Sequence, residues 1–561
     1  MTYDEIYDAL ADTYDPAGAW ERHVEVGEPE SLNLAEEVVG RHAGSDRTAL
    51  RVRDFETGAD EAHSYAELHG AMNRAANFLE GHLERDARFG LMLSPRLELY
   101  AALFGGIASK REFVPLDPKF GPDALGYRLA DAEATAAVTT PRHLEKFERA
   151  DIPSLERLVV VGGDSETVGD LTVHNYDEVR EESADYEPVR VHPSEPYGLS
   201  YSSGTTGQPT PQPSTHARVA GEAYMKFVVD LQPSDTYFVA ASPAWSYGLG
   251  AGTLTPGLWG SNIGAYRGRF DLETWVETLE RWEVTNAMVA PTALRQLRAS
   301  DVDVDAYDVD LRVLVTAGES LDAGTAAWVE EHLGTVPQDA YGLTEGGMLL
   351  CNYPVPDWEV RHGSMGKPVP GYDIRLCDPD DSPEATADEP APTEAMSFVE
   401  EAGEVGEIVK YQSGGSGPVA GEQPVGWMRT GDLAERDEDG YWWYRGRADE
   451  VIISAGYRIG PEEVQETLVD HSAVREAGVI GVDDETRGNI VKAYVTLAAG
   501  TEPSDGLREE LVQYAREELS KHEYPRELEF IDELPKTTSD KIIRRELKER
   551  HEAQADAATS E

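Results

Sequence analysis

From about residue 30 onward, short apolar runs alternate with longer segments that carry apolar residues on one helical face. The short runs predict buried strands at Arg88–Leu93, Ala136–Thr139, Leu158–Val161, Tyr197–Tyr201, Thr236–Ala241, Asn286–Val289 and Leu311–Thr316. Helices are expected over Leu32–His42, Leu97–Ala108 and Leu272–Trp282, and Ala49–Phe55 alternates as a strand does. Ser64, with Glu67 three residues on, forms a capping-box signature for a helix start. Strands and helices alternating on this scale predict an α/β architecture with largely parallel sheets. No internal repeat is found.

The texture changes at Trp442. A strand at Trp442–Arg445 is followed by Val451–Ser454, a helix from Pro461 to Asp470, strands at Ala477–Val482 and Val491–Leu497, and a helix over Asp505–Leu519. This predicts a small α+β unit behind a large α/β one, with domains spanning residues 1–445 and 446–561. Residues 378–404 and 414–421 lack periodicity and read as surface loops. The last dozen residues read as a frayed tail.

Charge narrows the partners. The chain holds 49 basic and 106 acidic residues in 561, a net charge of −57, and only 11 of the basic residues are lysine. An acidic excess with scarce lysine is expected of a protein adapted to a salt-rich cytoplasm, where screening removes self-repulsion. Nucleic acid is excluded as a partner for want of a basic patch. Two cysteines, Cys351 and Cys377, exclude a disulfide framework and a four-cysteine zinc site. With no leader pattern and no membrane-length apolar run, a cytoplasmic protein is expected.

Ser202-Ser203-Gly204-Thr205-Thr206-Gly207 places four hydroxyls and two glycines after a strand. Such a loop suits backbone N–H groups and hydroxyls curled around an anion, although no Gly-Lys-Ser/Thr closes it. Four other stretches stand out: Thr316-Ala-Gly-Glu-Ser-Leu321, Asp339-Ala-Tyr-Gly-Leu-Thr-Glu345, Trp427-Met-Arg-Thr-Gly-Asp-Leu433, and Gly446–Pro461 with Pro535-Lys-Thr-Thr-Ser-Asp-Lys541 beyond it. Taken singly, each also reads as an ordinary turn or a solvated charge.

In order and spacing, these stretches resemble the acyl-adenylate-forming (AMP-binding) enzymes, nearest to acyl-CoA synthetases of the benzoate–CoA ligase and medium-chain type. The resemblance runs from about residue 30 to 548. It implies an ATP-dependent carboxylic acid–CoA ligase with Mg²⁺, a large N-terminal domain of α/β subdomains and a mobile α+β C-terminal domain.

Residue by residue, the resemblance implies that Ser202–Gly207 hold the β- and γ-phosphates and that Tyr341 stacks on adenine. Gly318 and Glu319 join the nucleotide-binding set. Thr344 is implied to bond the α-phosphate, Glu345 to coordinate Mg²⁺, Asp432 to take the ribose hydroxyls and Arg447 to lie beside them. Asp449 matches the hinge, and Lys541 the catalytic lysine bridging carboxylate and α-phosphate. Ser454, Gly456 and Arg458 fall on the CoA side.

Two departures qualify the likeness. Thr210 and Pro211 stand where the family's phosphate loop carries lysine and glycine, and Asp540 precedes Lys541 where glycine is common. Gly342 replaces the tryptophan that blocks the acyl pocket of acetyl-CoA synthetases, which argues against acetate. With Trp245 and Tyr247 as pocket aromatics, the expectation is an aryl or short- to medium-chain acid, although both rings also suit a core. A stand-alone enzyme loading a carrier-protein thiol and a non-catalytic nucleotide-binding relative are the alternatives. Oligomeric state stays open.

Overall fold

The computed structural model describes residues 20–21, 23–27, 30–163, 167–201, 209–232, 234–343, 346–353, 358–454, 457–484, 488–498, 500–519, 524–536 and 542–559. A large N-terminal region of mixed α/β sheets is followed by a smaller α+β region. The expected strands form, with their ends shifted by at most three residues.

One sheet runs in the order Thr172–Asn175, Arg157–Val160, Ala136–Thr139, Arg88–Leu91, Glu112–Pro115, Pro196–Tyr201 and Pro211–Thr215. It is parallel except at its last pair. A second sheet runs Tyr237–Val239, Asn286–Val289, Val313–Ala317, Gln338–Leu343, Gly347–Cys351 and Lys367–Pro368. Its first four strands are parallel, and a hairpin adds the antiparallel remainder.

An antiparallel sheet of Phe398–Val399, Ile374–Cys377, Val405–Ser413, Val425–Arg436 and Trp442–Arg447 leads into the C-terminal region. There Gly488–Leu497 pairs with Val474–Asp484 and Glu527–Phe530, beside the hairpin of Ile452–Ser454 and Tyr457–Ile459.

Local chemistry explains these elements. The capping box forms: Ser64 N–H donates to Glu67 Oε2 at 2.8 Å and Glu67 N–H to Ser64 Oγ at 3.2 Å, opening the helix Tyr65–His82. That helix packs on Leu97–Ser109, where a Cβ at Gly105 would stand 2.8 Å from the Ala75 methyl and 2.9 Å from the Ala76 backbone nitrogen. Glycine there lets the two helices approach closely. Trp275 and Phe89 are fully buried between helices and sheets, each contributing roughly 1.5–3 kcal/mol or more by leaving water. The C-terminal region has its own apolar cluster, including Ile452, Val464, Val479, Val491, Leu511 and Leu528.

The expectation of a frayed tail is corrected. A helix spans Arg544–Thr559, anchored by the fully buried Leu547. Its alanine, glutamate and glutamine content, which resembles a solvated tail, is also that of a strong helix former.

Candidate functional site

A large cleft lies where the parallel strands end. Ala240–Ala241, Val289–Ala290, Ala317–Glu319 and Gly342–Leu343 follow or close four neighbouring parallel strands, and all line one cavity of about 1020 Å³. Ligands in open α/β sheets bind outside the carboxyl ends of the strands, where the connections leave room. Trp245 and Tyr247 line the same cavity. Trp245 Nε1 donates to Asp117 Oδ2 at 3.2 Å and meets Phe120 edge-on, with ring centroids 6.0 Å apart. The Tyr247 hydroxyl is buried and has no hydrogen-bond partner among the described residues.

Gly342 is fixed by backbone crowding. A Cβ there would stand 2.5 Å from the Gly347 carbonyl oxygen and 2.9 Å from Met348 Cα across the hairpin, whose register shifts between Tyr341 and Gly342. A side chain at 342 therefore requires the hairpin to open.

Beside the cleft, Tyr341 Oη donates to Asp432 Oδ2 at 2.6 Å, Tyr444 Oη to Asp432 Oδ1 at 3.2 Å, and Arg447 Nη1 to Oδ1 at 3.4 Å. Asp432 follows Gly431, whose φ of +77° turns the chain so that its N–H reaches Glu407 Oε1 at 2.8 Å. Burial, then the Asp432 carboxylate, pushes the Tyr341 and Tyr444 phenols well above their ordinary range, so both stay protonated donors. Arg447 also reaches Asp449 Oδ1 at 3.1 Å, in the exposed turn after its strand.

Glu319 accepts from Thr292 Oγ1 at 2.6 Å and pairs with Arg295, which holds it at the cleft wall next to Gly318, a glycine with φ of +100°. Deeper in that wall, Glu222 accepts from Arg218 Nε at 2.7 Å and from Thr255 Oγ1 at 2.7 Å.

The structure thus brings together Gly318, Glu319, Gly342, Trp245 and Tyr247 around the cleft, and Tyr341, Asp432 and Arg447 at its margin. Ser454 is buried and pairs through its backbone with Tyr457 and Gly488. Ser202–Gly207, Thr344, Glu345, Gly456 and Lys541 lie outside the described residues, and of Arg458 only the backbone strand is described. Among the described residues, no group of three or more His, Cys, Asp or Glu is arranged to hold a metal. No helix among them is long and apolar enough to cross a membrane.

Sequence reasoning passed over two groups. Lys410 and Gln412 line the cleft from the strand Val405–Ser413, in a stretch that reads only as an alternating strand. Glu466 accepts from Ser320 Oγ at 2.5 Å and joins the helix Pro461–Val469 to the turn after Val313–Ala317. Neither carried a local signal, because each acquires its partners only through tertiary contact.

A cleft at the carboxyl ends of parallel strands, beside an aromatic–carboxylate–arginine cluster, is where an α/β protein of this class takes its ligands. Residues 36–409 match the AMP-binding enzyme family, and residues 463–541 match the AMP-binding enzyme C-terminal domain. The chain belongs to the AMP-binding enzyme family. It is 36% identical over 527 residues to an acetyl-coenzyme A synthetase of Bacillus subtilis, covering 92% of this chain and 90% of that one. It is 32% identical over 527 residues to 4-hydroxybutyrate–CoA ligase 1 of Metallosphaera sedula, covering 93% and 90%.

Among solved structures, an anthranilate CoA ligase in complex with anthranoyl-AMP superposes with a TM-score of 0.81 at 27% identity, over 94% of this chain and 99% of that one. The protein is an ATP-dependent acid–CoA ligase that works through an acyl-adenylate, with ATP and CoA as co-substrates.

Proposed function

We propose that the cleft beyond Gly342 receives an aryl or short- to medium-chain carboxylic acid. The observation that carries this reading is the cavity of about 1020 Å³, whose lining includes Gly342, Trp245, Tyr247 and Met348. That lies at the upper end of ligand-pocket volumes, about 300–1,000 Å³, with room for a nucleotide and a ring or chain together. The relatives named for acetate and for 4-hydroxybutyrate make small acids necessary members of any test.

In this reading ATP and the acid give acyl-AMP and pyrophosphate. The CoA thiol then attacks the acyl carbon, and acyl-CoA, AMP and a proton leave. Ser202–Gly207 hold the outer phosphates and Thr344 the α-phosphate. Glu345 supplies a hard oxygen ligand for Mg²⁺, which needs phosphate and water oxygens besides. Lys541 neutralises the charge that develops between carboxylate and α-phosphate.

Asp432 takes the ribose diol. Its Oδ1 contacts with Tyr444 and Arg447, at 3.2 and 3.4 Å, are the longer ones that an incoming hydroxyl replaces. Tyr341 presents its ring to adenine while its hydroxyl fixes Asp432. A C-terminal domain of residues 446–561 turns about Asp449, withdrawing Lys541 and presenting Ser454, Gly456 and Arg458 to CoA. The net charge of −57 supports a cytoplasm rich in salt as its setting.

Pyrophosphate release in concentrated KCl with ATP and Mg²⁺, across acetate, butyrate, octanoate, benzoate, hydroxybenzoates and phenylacetate, tests the choice of acid. Turnover at least tenfold higher on butyrate, octanoate or an aryl acid than on acetate supports the reading. Preference for acetate refutes it.

A further inference from the structure

Lys410 is a cation in the cleft wall with no carboxylate paired to it among the described residues. Its Nζ donates to the Gly346 carbonyl oxygen at 2.8 Å and lies 4.4 Å from the centre of the Tyr372 ring. No ion pair joins it to any Asp or Glu among the described residues. Burial alone pulls its pKa down to about 8, so it is still mostly charged at neutral pH. An ammonium has three donors, and the hydrogen bonds on this one employ a single donor.

Two other residues of this cavity carry buried polar atoms that have no hydrogen-bond partner among the described residues. Gln412, two residues along the same strand and so on the same face, has a buried Oε1 with no hydrogen-bond partner. The buried Tyr247 hydroxyl has none either. Both line the cavity with Lys410. A desolvated polar group without a partner is costly, and a desolvated charge more so. A desolvated ammonium with donors to spare in a cleft wall is the pattern of a site whose ligand completes the bonding.

Resting on the acid-ligase reading above, we propose that the preferred acid carries a second oxygen function, a hydroxyl or a further carboxylate, and that Lys410 binds that oxygen with its spare donors. A purely hydrocarbon chain or ring would leave the spare Lys410 donors without a partner on binding. Sites built to hydrogen-bond a substrate oxygen discriminate strongly against analogues that lack it. The second occupant of this cleft, the nucleotide triphosphate, also carries anionic oxygens. Lys410 adjoins Gly346, next in sequence to Glu345, so the test must separate the two.

The experiment compares matched acids with the full-length enzyme and with Lys410→Met, which keeps chain length and removes the charge. Butyrate is set against 4-hydroxybutyrate and succinate, and benzoate against 4-hydroxybenzoate. Calorimetric Kd values are measured with a non-hydrolysable ATP analogue bound, and kcat/KM by pyrophosphate exchange.

The expected result is at least tenfold tighter binding of one oxygenated acid than of its plain partner, with that ratio collapsing to within twofold in Lys410→Met. An unchanged ratio in the variant overturns the inference while the ligase reading stands. A raised KM for ATP with unaltered acid ratios also overturns it, assigning Lys410 to the nucleotide. Preference of the native enzyme for the plain acids overturns it directly. Failure of every acid to bind or to support exchange defeats the ligase reading and this inference together.

Discussion

Replacing Glu466 with glutamine isolates one carboxylate at the contact between the C-terminal region and the large region. Burial, with the carboxylates of Asp322 and Glu462 nearby, raises Glu466 from 4.5 to about 7, against the partial relief of Ser320 and Arg295. The native protein therefore holds this proton to higher pH than the unfolded chain does. Stability falls as pH rises from about 4.5 to about 7, and the loss is complete above that.

The rise corresponds to roughly 3 kcal/mol at 1.36 kcal/mol per pH unit. The side chain is half-buried, so solvent screening trims the expectation to ~1–3 kcal/mol. Glutamine keeps an oxygen for the Ser320 hydroxyl, so that hydrogen bond survives in Glu466→Gln. Asp339, which burial also raises to about 7, titrates in the same window but is common to both proteins and cancels in the difference.

Guanidinium unfolding of the two proteins at pH 5 and pH 8.5 measures the effect. The variant's advantage should grow by ~1–3 kcal/mol between the two pH values. Parallel stabilities at both would show that the carboxylate is ionised at little cost, and the reasoning from its burial would fail.

Three further substitutions test the site. Lys541→Ala should abolish acyl-AMP formation and spare CoA-dependent breakdown of a supplied acyl-AMP; equal loss of both half-reactions would remove Lys541 from the first step. Thr210→Lys should lower the KM for ATP by roughly 5- to 100-fold, the worth of one charge-assisted contact of ~1–3 kcal/mol. An unchanged KM would mean that the loop is organised without that cation. Gly342→Ala should cost ~1–3 kcal/mol in unfolding free energy and raise the KM for the acid, because its methyl meets backbone at 2.5 Å. A variant as stable as the native chain would show that the hairpin yields freely.

How much of this was legible in the sequence follows from the kind of signal each feature carries. The buried parallel strands announce themselves as short apolar runs, and Ala136–Thr139 and Asn286–Val289 were readable to the residue. The Ser64 cap was readable because its chemistry is local. The helix Arg544–Thr559 was not, since its fixed point is Leu547, the one buried residue among its described side chains, in a largely polar stretch.

At the site, Tyr341, Asp432 and Arg447 could be picked out by order and spacing, but not their mutual hydrogen bonds, of which Tyr341–Asp432 joins residues 91 apart in sequence and Arg447–Asp432 joins neighbouring strands. Gly342 reads as an opening to the acyl pocket. In three dimensions it is also a steric necessity of the hairpin. Lys410 was invisible because a lysine in an alternating strand ordinarily faces solvent, and only the folded cleft shows what surrounds it.

The measurement that bears most directly on the central claim is ATP–pyrophosphate exchange across the acid panel without CoA, followed by AMP and acyl-CoA release on adding CoA. Acid-dependent exchange in the absence of CoA, with AMP and acyl-CoA then appearing one for one, is the predicted result. Exchange that needs CoA from the outset, or ADP in place of AMP, would contradict an acyl-adenylate route.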